Sequence, residues 1–214
     1  MIVVAGSGRC GTSLMMQTLN LLGVPLVENP EGWGKHQLWL GYEETNNLNL
    51  SSLPTNKNPK GYFELSYNKI FDIIHNKDTD RYTGKAIKFT TPELIHLDPD
   101  KIDQIIFCER RNIRKAAKSM ALLARQDYDY AVEHCLEFCF ASIYPSVKIR
   151  DWEKHMKMFN ETTKAWMKAI KKPNLHVWFE DLVNTPEPII QHLGDFLNLD
   201  NPDTSEALKN VDKK

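Results

Sequence analysis

The chain has 214 residues, 42% hydrophobic and 26% charged, with a formal net charge of −1. That length and apolar fraction suffice for one globular domain over residues 1–214, with a core that needs no covalent staples. The near-neutral balance argues against a nucleic-acid-binding stripe, and no apolar run approaches the ~20 residues of a membrane-spanning helix.

In chain order, a short apolar run at residues 2–5 enters a loop with Gly6, Gly8 and Gly11. Thr12 and Ser13 then open an apolar-periodic helix over 12–22 that stops near Gly23. The N-terminus does not read as a signal peptide, because it lacks a basic n-region and its apolar run ends in the glycine loop. Residues 28–63 mix Asn, Gly, Pro and Trp, which reads as a functional loop region with one short helix at 36–47. A helical pattern follows at about 66–76, then strands at 85–89 and 104–108. Helical patterns occupy 111–124, 129–142 and about 150–170, a last strand 175–179, and a last helix 186–198 behind Pro186. The strands are short, β-branched or aromatic, and nearly continuous in apolar character, as in a parallel sheet covered on both faces. The alternation predicts an α/β fold, a central parallel sheet flanked by helices, in a P-loop NTPase-like arrangement. The tract at about 120–170 reads as a helical acceptor-side or lid region, with Tyr128, Tyr130, Trp152 and Trp166 mostly serving its core.

The cysteines are Cys10, Cys108, Cys135 and Cys139. The last two stand four apart on a helical pattern without further ligands nearby, which reads as a buried reduced pair in a cytoplasmic protein rather than a metal site. In that compartment the Asn-x-Ser/Thr matches at Asn49 and Asn160 carry no meaning.

Strand, glycine loop, hydroxyl pair and helix together make an anion cradle. Glycines let successive backbone N–H groups converge, and the helix N-terminus adds its positive dipole end. The spacing Gly6–Gly11–Thr12–Ser13 fits G-x-x-x-x-G-K-[ST] except that Thr12 replaces the lysine that clamps a nucleoside triphosphate. A cation stands three residues earlier, at Arg9. A second anion site reads from QIIFCERRNIRKAAKS, residues 104–119, where a basic turn with Arg110, Arg111 and Arg114 follows a strand. Basic residues at a helix start oppose the macrodipole and ask for a compensating anion. Arg111 can fork onto a phosphate, and Ser119, eight residues on, returns to the same helix face.

These residues resemble the sulfotransferases that use 3′-phosphoadenosine 5′-phosphosulfate (PAPS). GSGRCGTS looks like their 5′-phosphosulfate loop, and Arg111-Asn112-Ile113-Arg114 through Ser119 resembles their 3′-phosphate segment. Phe179-Glu180-Asp181-Leu182 is similar to their Tyr-Glu-Asp-Leu element, and Asn58-Pro59-Lys60-Gly61-Tyr62-Phe63-Glu64 to a segment of bacterial members. The resemblance touches both ends and the middle of the chain. It implies PAPS as donor, 3′,5′-ADP (PAP) as product, no metal, and an acceptor hydroxyl or amine on a glycan, lipid, small alcohol or peptide. It implies Gly8, Arg9, Cys10, Gly11, Thr12, Ser13, Arg111 and Ser119 as donor-binding residues, with Arg9 and Lys88 stabilising charge on the leaving phosphate.

The chain also departs from the family. Asn112-Ile113 replaces the usual Asp-Pro, and Phe179 replaces Tyr. Thr90 stands where aryl and steroid members carry a histidine base, so the base must come from elsewhere. Glu64 is the first choice and His36 the second. No glycine- and basic-rich C-terminal loop is evident. Two rival readings remain: a P-loop small-molecule kinase, disfavoured by Thr12, and a non-catalytic nucleotide-binding module that kept the cradle.

Overall fold

A computed structural model describes residues 1–27, 67–75, 80–90, 92–133, 147–200 and 202–212 of the chain. Glu64, His36, the short helix at 36–47 and the segment 58–64 lie outside the described residues. Among the described residues, four strands, β1 (Ile2–Ala5), β2 (Ala86–Phe89), β3 (Gln104–Glu109) and β4 (Asn174–Trp178), form one sheet. All three pairings are parallel, and the spatial order is β2-β1-β3-β4. The fold is therefore α/β with an all-parallel central sheet flanked by helices, compatible with a P-loop NTPase-like arrangement.

The helices are α1 (Thr12–Leu21), α2 (Tyr67–His75), α3 (Ile113–Glu133), α4 (Ile149–Ile170), α5 (Phe179–Asn184), α6 (Pro186–Phe196) and α7 (Ser205–Asp212), among the described residues. Short 3₁₀ turns lie at Asp80–Tyr82, Pro92–His96 and Pro99–Lys101. No helix among the described residues is long and apolar enough to cross a membrane.

Alternation along each strand sends side chains to opposite faces, and both faces are covered. On one, Ile2, Val4, Ile106, Cys108 and Val177 pack with Leu14, Met15 and Leu19 of α1, Ile190 and Leu193 of α6, and Ala207 and Val211 of α7. On the other, Val3, Ala5, Ile87, Phe89, Ile105 and Phe107 pack with Ile73 of α2, the 3₁₀ residue Leu94, and Met167 of α4. Trp166 joins this second cluster, and Trp152 packs beside Met156, Cys10 and Ala117. The edge of β2 is occupied at its start: Ala86 donates to the Pro25 carbonyl at 2.7 Å and accepts from the Val27 N–H at 3.0 Å.

Two helix ends show how local sequence fixes the chain's turns. After α1, Gly23 takes φ 85°, and the Gly23 and Val24 N–H groups return to the carbonyls of Asn20 and Leu19. After α6, Asn198 takes φ 54°, and the Asn198 and Leu199 N–H groups return to Asp195 and Gly194. Both are Schellman closures, which favour Gly or Asn at the left-handed position.

The order β2-β1-β3-β4 has a consequence for ligands. From β1 the chain leaves toward β2, and from β3 it leaves toward β4. The carboxyl ends of β1 and β3 therefore border a topological switch point, where open α/β sheets bind ligands.

Candidate functional site

The loop Gly6–Gly11 lies at that switch point, between the end of β1 and the start of α1. Gly6 touches the neighbouring strand: a Cβ there would come within 2.5 Å of the Cys108 carbonyl oxygen. Gly11 has φ 88°, caps α1, and would place a Cβ 2.5 Å from Cδ2 of Phe179. With no side-chain cap on α1, the helix N-terminal N–H groups face the loop without an internal acceptor from the capping residue. Inside the loop, Ser7 Oγ and Cys10 Sγ lie 3.0 Å apart, and both residues are buried. Burial pushes the Cys10 thiol up, with the Ser7 hydrogen bond opposing it, and burial pushes the Cys108 thiol up as well. Neither is a thiolate nucleophile at neutral pH.

Arg9 adopts φ 66°, uncommon for a residue with a Cβ. It is held at both ends. Its Nε donates to Ser119 Oγ on α3 at 2.9 Å, and its carbonyl accepts from Arg110 Nη1 at 3.3 Å. The structure thus brings Arg9 and Ser119 together across the two sequence motifs. Lys88 arrives from β2. Its register partner is Val4, its side chain is buried, and its Nζ donates to Ser13 Oγ at 3.2 Å. A cation from the adjacent strand thus stands beside the hydroxyl that follows Thr12.

Arg111 is placed differently from the sequence expectation of an open phosphate fork. Its Nη1 and Nη2 donate to Oδ1 and Oδ2 of Asp181 at 2.5 and 2.8 Å, and its Cζ lies 5.1 Å from the Trp178 ring centroid. The hydrogen bond to Asp181 raises the Arg111 pKa, and the same bond holds the Asp181 carboxyl below its usual range. Glu180 accepts from the backbone N–H of Arg111 at 3.0 Å and of Asn112 at 3.4 Å. Burial pushes Glu180 up, but these backbone donors outweigh it and the net shift is downward. The compensating anion that the basic turn asks for is thus carried by α5. No described contact joins Arg111 to Ser119.

Asn112, where the resemblance would put Asp, caps α3 by accepting the Lys115 N–H at 3.0 Å. Asn and Asp serve equally in that role, so the turn keeps its cap without the usual Asp-Pro pair.

Three features of this region were not assigned a role from sequence. Arg110 stacks over the Phe179 ring at 4.7 Å, so Phe179 lies between Gly11 and a guanidinium. Glu180 and Asp181 reach back to the basic turn before α3, although the sequence flagged them only by resemblance. Behind the basic turn, buried Glu109 accepts from Asn160 at 3.2 Å and from Lys164 at 2.9 Å, and its Oε2 lies 3.0 Å from His176 Nε2. A carboxylate ending the apolar run QIIFC was the available signal for that cluster. Asn160 is buried there, so its Asn-x-Thr match is not a modification site in the folded chain.

A comparison with protein-family models gives no match, and a comparison with curated protein sequences gives none either.

Proposed function

We propose that the chain is a PAPS-dependent sulfotransferase, moving the sulfuryl group of PAPS to an acceptor hydroxyl or amine. The observation that supports this reading most is a cation in the loop, Arg9, joined by a second cation, Lys88, that arrives from β2 at a hydroxyl in the first turn of α1. Arg9 is tied to Ser119, and Lys88 is tied to Ser13. A loop without the Walker lysine, but with a buried lysine from β2 beside Ser13, suits a phosphosulfate better than a triphosphate held with Mg²⁺.

In this reading the acceptor oxygen attacks sulfur in line with the bond to the bridging oxygen. That S–O bond breaks, and its electron pair stays on the 5′-phosphate of 3′,5′-ADP. The acceptor proton passes to a base, for which Glu64 is the first choice and His36 the second. The transferring SO₃ unit carries less charge than PO₃⁻, so positioning and the loop's cations do the work that a metal clamp does in kinases. Arg9, Lys88 and the loop amides stabilise the leaving phosphate. Thr12 and Ser13 hold it, and Arg111 with Ser119 reads the 3′-phosphate that separates PAPS from ATP.

Turnover of labelled PAPS against pools of glycans, lipids, small alcohols and peptides tests the reading. Transfer of label to one pool is the expected result. In the same assay Glu64→Gln is expected to lower turnover roughly 10²–10⁴-fold while 3′,5′-ADP binding stays intact. Loss of turnover in His36→Ala instead reverses the assignment of the base. Binding of 3′,5′-ADP without transfer to any pool favours the binding-module reading.

A further inference from the structure

We infer that Asp181 is a resident competitor within the binding site, a carboxylate that holds the Arg111 fork until a doubly charged phosphate, anchored elsewhere in the site, displaces it. The inference rests on the donor reading above and goes beyond it, because it concerns what occupies Arg111 when no donor is bound.

Four charged side chains meet here. Arg110 and Arg111 carry two positive charges, and Glu180 and Asp181 carry two negative ones, so the cluster is formally neutral. A phosphate approaching Arg111 therefore meets no excess positive charge while Asp181 stays in place. The two carboxylates are held unequally. Glu180 accepts two backbone N–H groups at the start of α3, which fixes it. Asp181 meets Arg111 only through side-chain atoms, in a pair whose side chains are 50% and 35% exposed. Rotating Asp181 into water leaves it solvated, so its displacement costs little.

A carboxylate offers one charge and two oxygens. A phosphate monoester offers close to two charges and three oxygens, so it is the stronger partner for a guanidinium fork. Asp181, however, is tethered and competes at the high effective concentration of an intramolecular group. A free anion loses that competition. A ligand already seated in the Gly6–Gly11 cradle by its 5′ end competes on equal terms. The same displacement cost falls on every ligand that uses Arg111, and a ligand with a second anchor in the cradle is the one that keeps useful affinity after meeting it.

The test titrates wild type, Asp181→Asn and Asp181→Ala with 3′,5′-ADP, 5′-AMP and 3′-AMP by calorimetry. Asp181→Asn keeps the side-chain shape and removes the charge, and Asp181→Ala removes the competitor altogether. Both are expected to bind 3′,5′-ADP roughly threefold to tenfold more tightly, a range set by the modest strength of a half-exposed ion pair. Affinity for 3′-AMP should rise by a similar factor, and affinity for 5′-AMP should stay the same. A merely structural role for Asp181 would loosen all three ligands. Unchanged or weaker 3′,5′-ADP binding in both variants overturns the inference while leaving the donor reading in place. Failure of 3′,5′-ADP to bind wild type and variants alike overturns the donor reading, and the inference with it.

Discussion

Lys88 is a buried cation whose ammonium reaches Ser13 in the first turn of α1. If Lys88 stabilises a leaving phosphate, Lys88→Ala lowers kcat by roughly 10²–10³-fold, the cost of removing one preorganised donor. Affinity for 3′,5′-ADP should fall much less. Single-turnover kinetics beside a binding titration separates the two effects, and wild-type turnover in the variant would remove Lys88 from the chemistry. Gly11 carries a second residue-scale prediction. Its φ of 88° and the Phe179 ring against it both exclude a side chain. Gly11→Ala is expected to destabilise the fold by on the order of 1–3 kcal/mol from backbone strain, with further cost from the ring contact. Phe179→Ala in the Gly11→Ala background should recover the contact part and leave the strain. Denaturant unfolding of the four proteins in that cycle reads the coupling. Strict additivity would show that Phe179 does not press on the loop.

Element by element, the strands were the most legible part of the sequence. β1 lies at residues 2–5 as expected, while β2, β3 and β4 lie within one residue of their expected limits. Short apolar runs in a sheet buried on both faces leave little else for those residues to do. The helix expected at 111–124 instead continues to Glu133 as α3, through Gln126-Asp127-Tyr128. Those residues are indifferent helix formers, but without a Gly or Pro nothing ends the helix. α5 was missed because six residues are too few to show a period, and Phe179 reads as the end of a strand. The tight turn from β1 into α1 was legible because glycines announce it, and Gly11 takes φ 88° there. The partners of Arg111 were not, since a contact 70 residues away leaves no local pattern.

β4 carries a pH prediction of its own. Burial holds the His176 imidazole below its ordinary value of 6.5, with Glu109 pulling it back up and Lys164 and Arg111 pushing it down. The folded chain keeps His176 neutral where the unfolded chain binds a proton. Stability therefore falls as pH drops from about 6.5 toward the lowered folded value, and this contribution is flat above 6.5. Thermal melts from acidic to neutral pH should show that decline, and His176→Gln should flatten it. A decline of equal slope in the variant would assign it to other groups.

At the scale of the whole molecule, strand order gathers the chemistry. Because β1 lies between β2 and β3, its glycine loop receives Lys88 from one neighbour and the basic turn from the other. α5 closes the arrangement from beyond β4, with Phe179 against the loop and Asp181 on Arg111. If the chain takes PAPS as proposed, this gathering reads a nucleotide bearing phosphates at both 3′ and 5′ positions. Calorimetric titration of the wild-type chain with 3′,5′-ADP, 5′-AMP and ATP, each with and without Mg²⁺, tests that claim most directly, with Arg111→Ala run alongside. The expected result is that 3′,5′-ADP binds at least tenfold more tightly than 5′-AMP or ATP, without need of Mg²⁺, and that Arg111→Ala removes most of the preference over 5′-AMP. Tighter binding of Mg²⁺-ATP than of 3′,5′-ADP would contradict it.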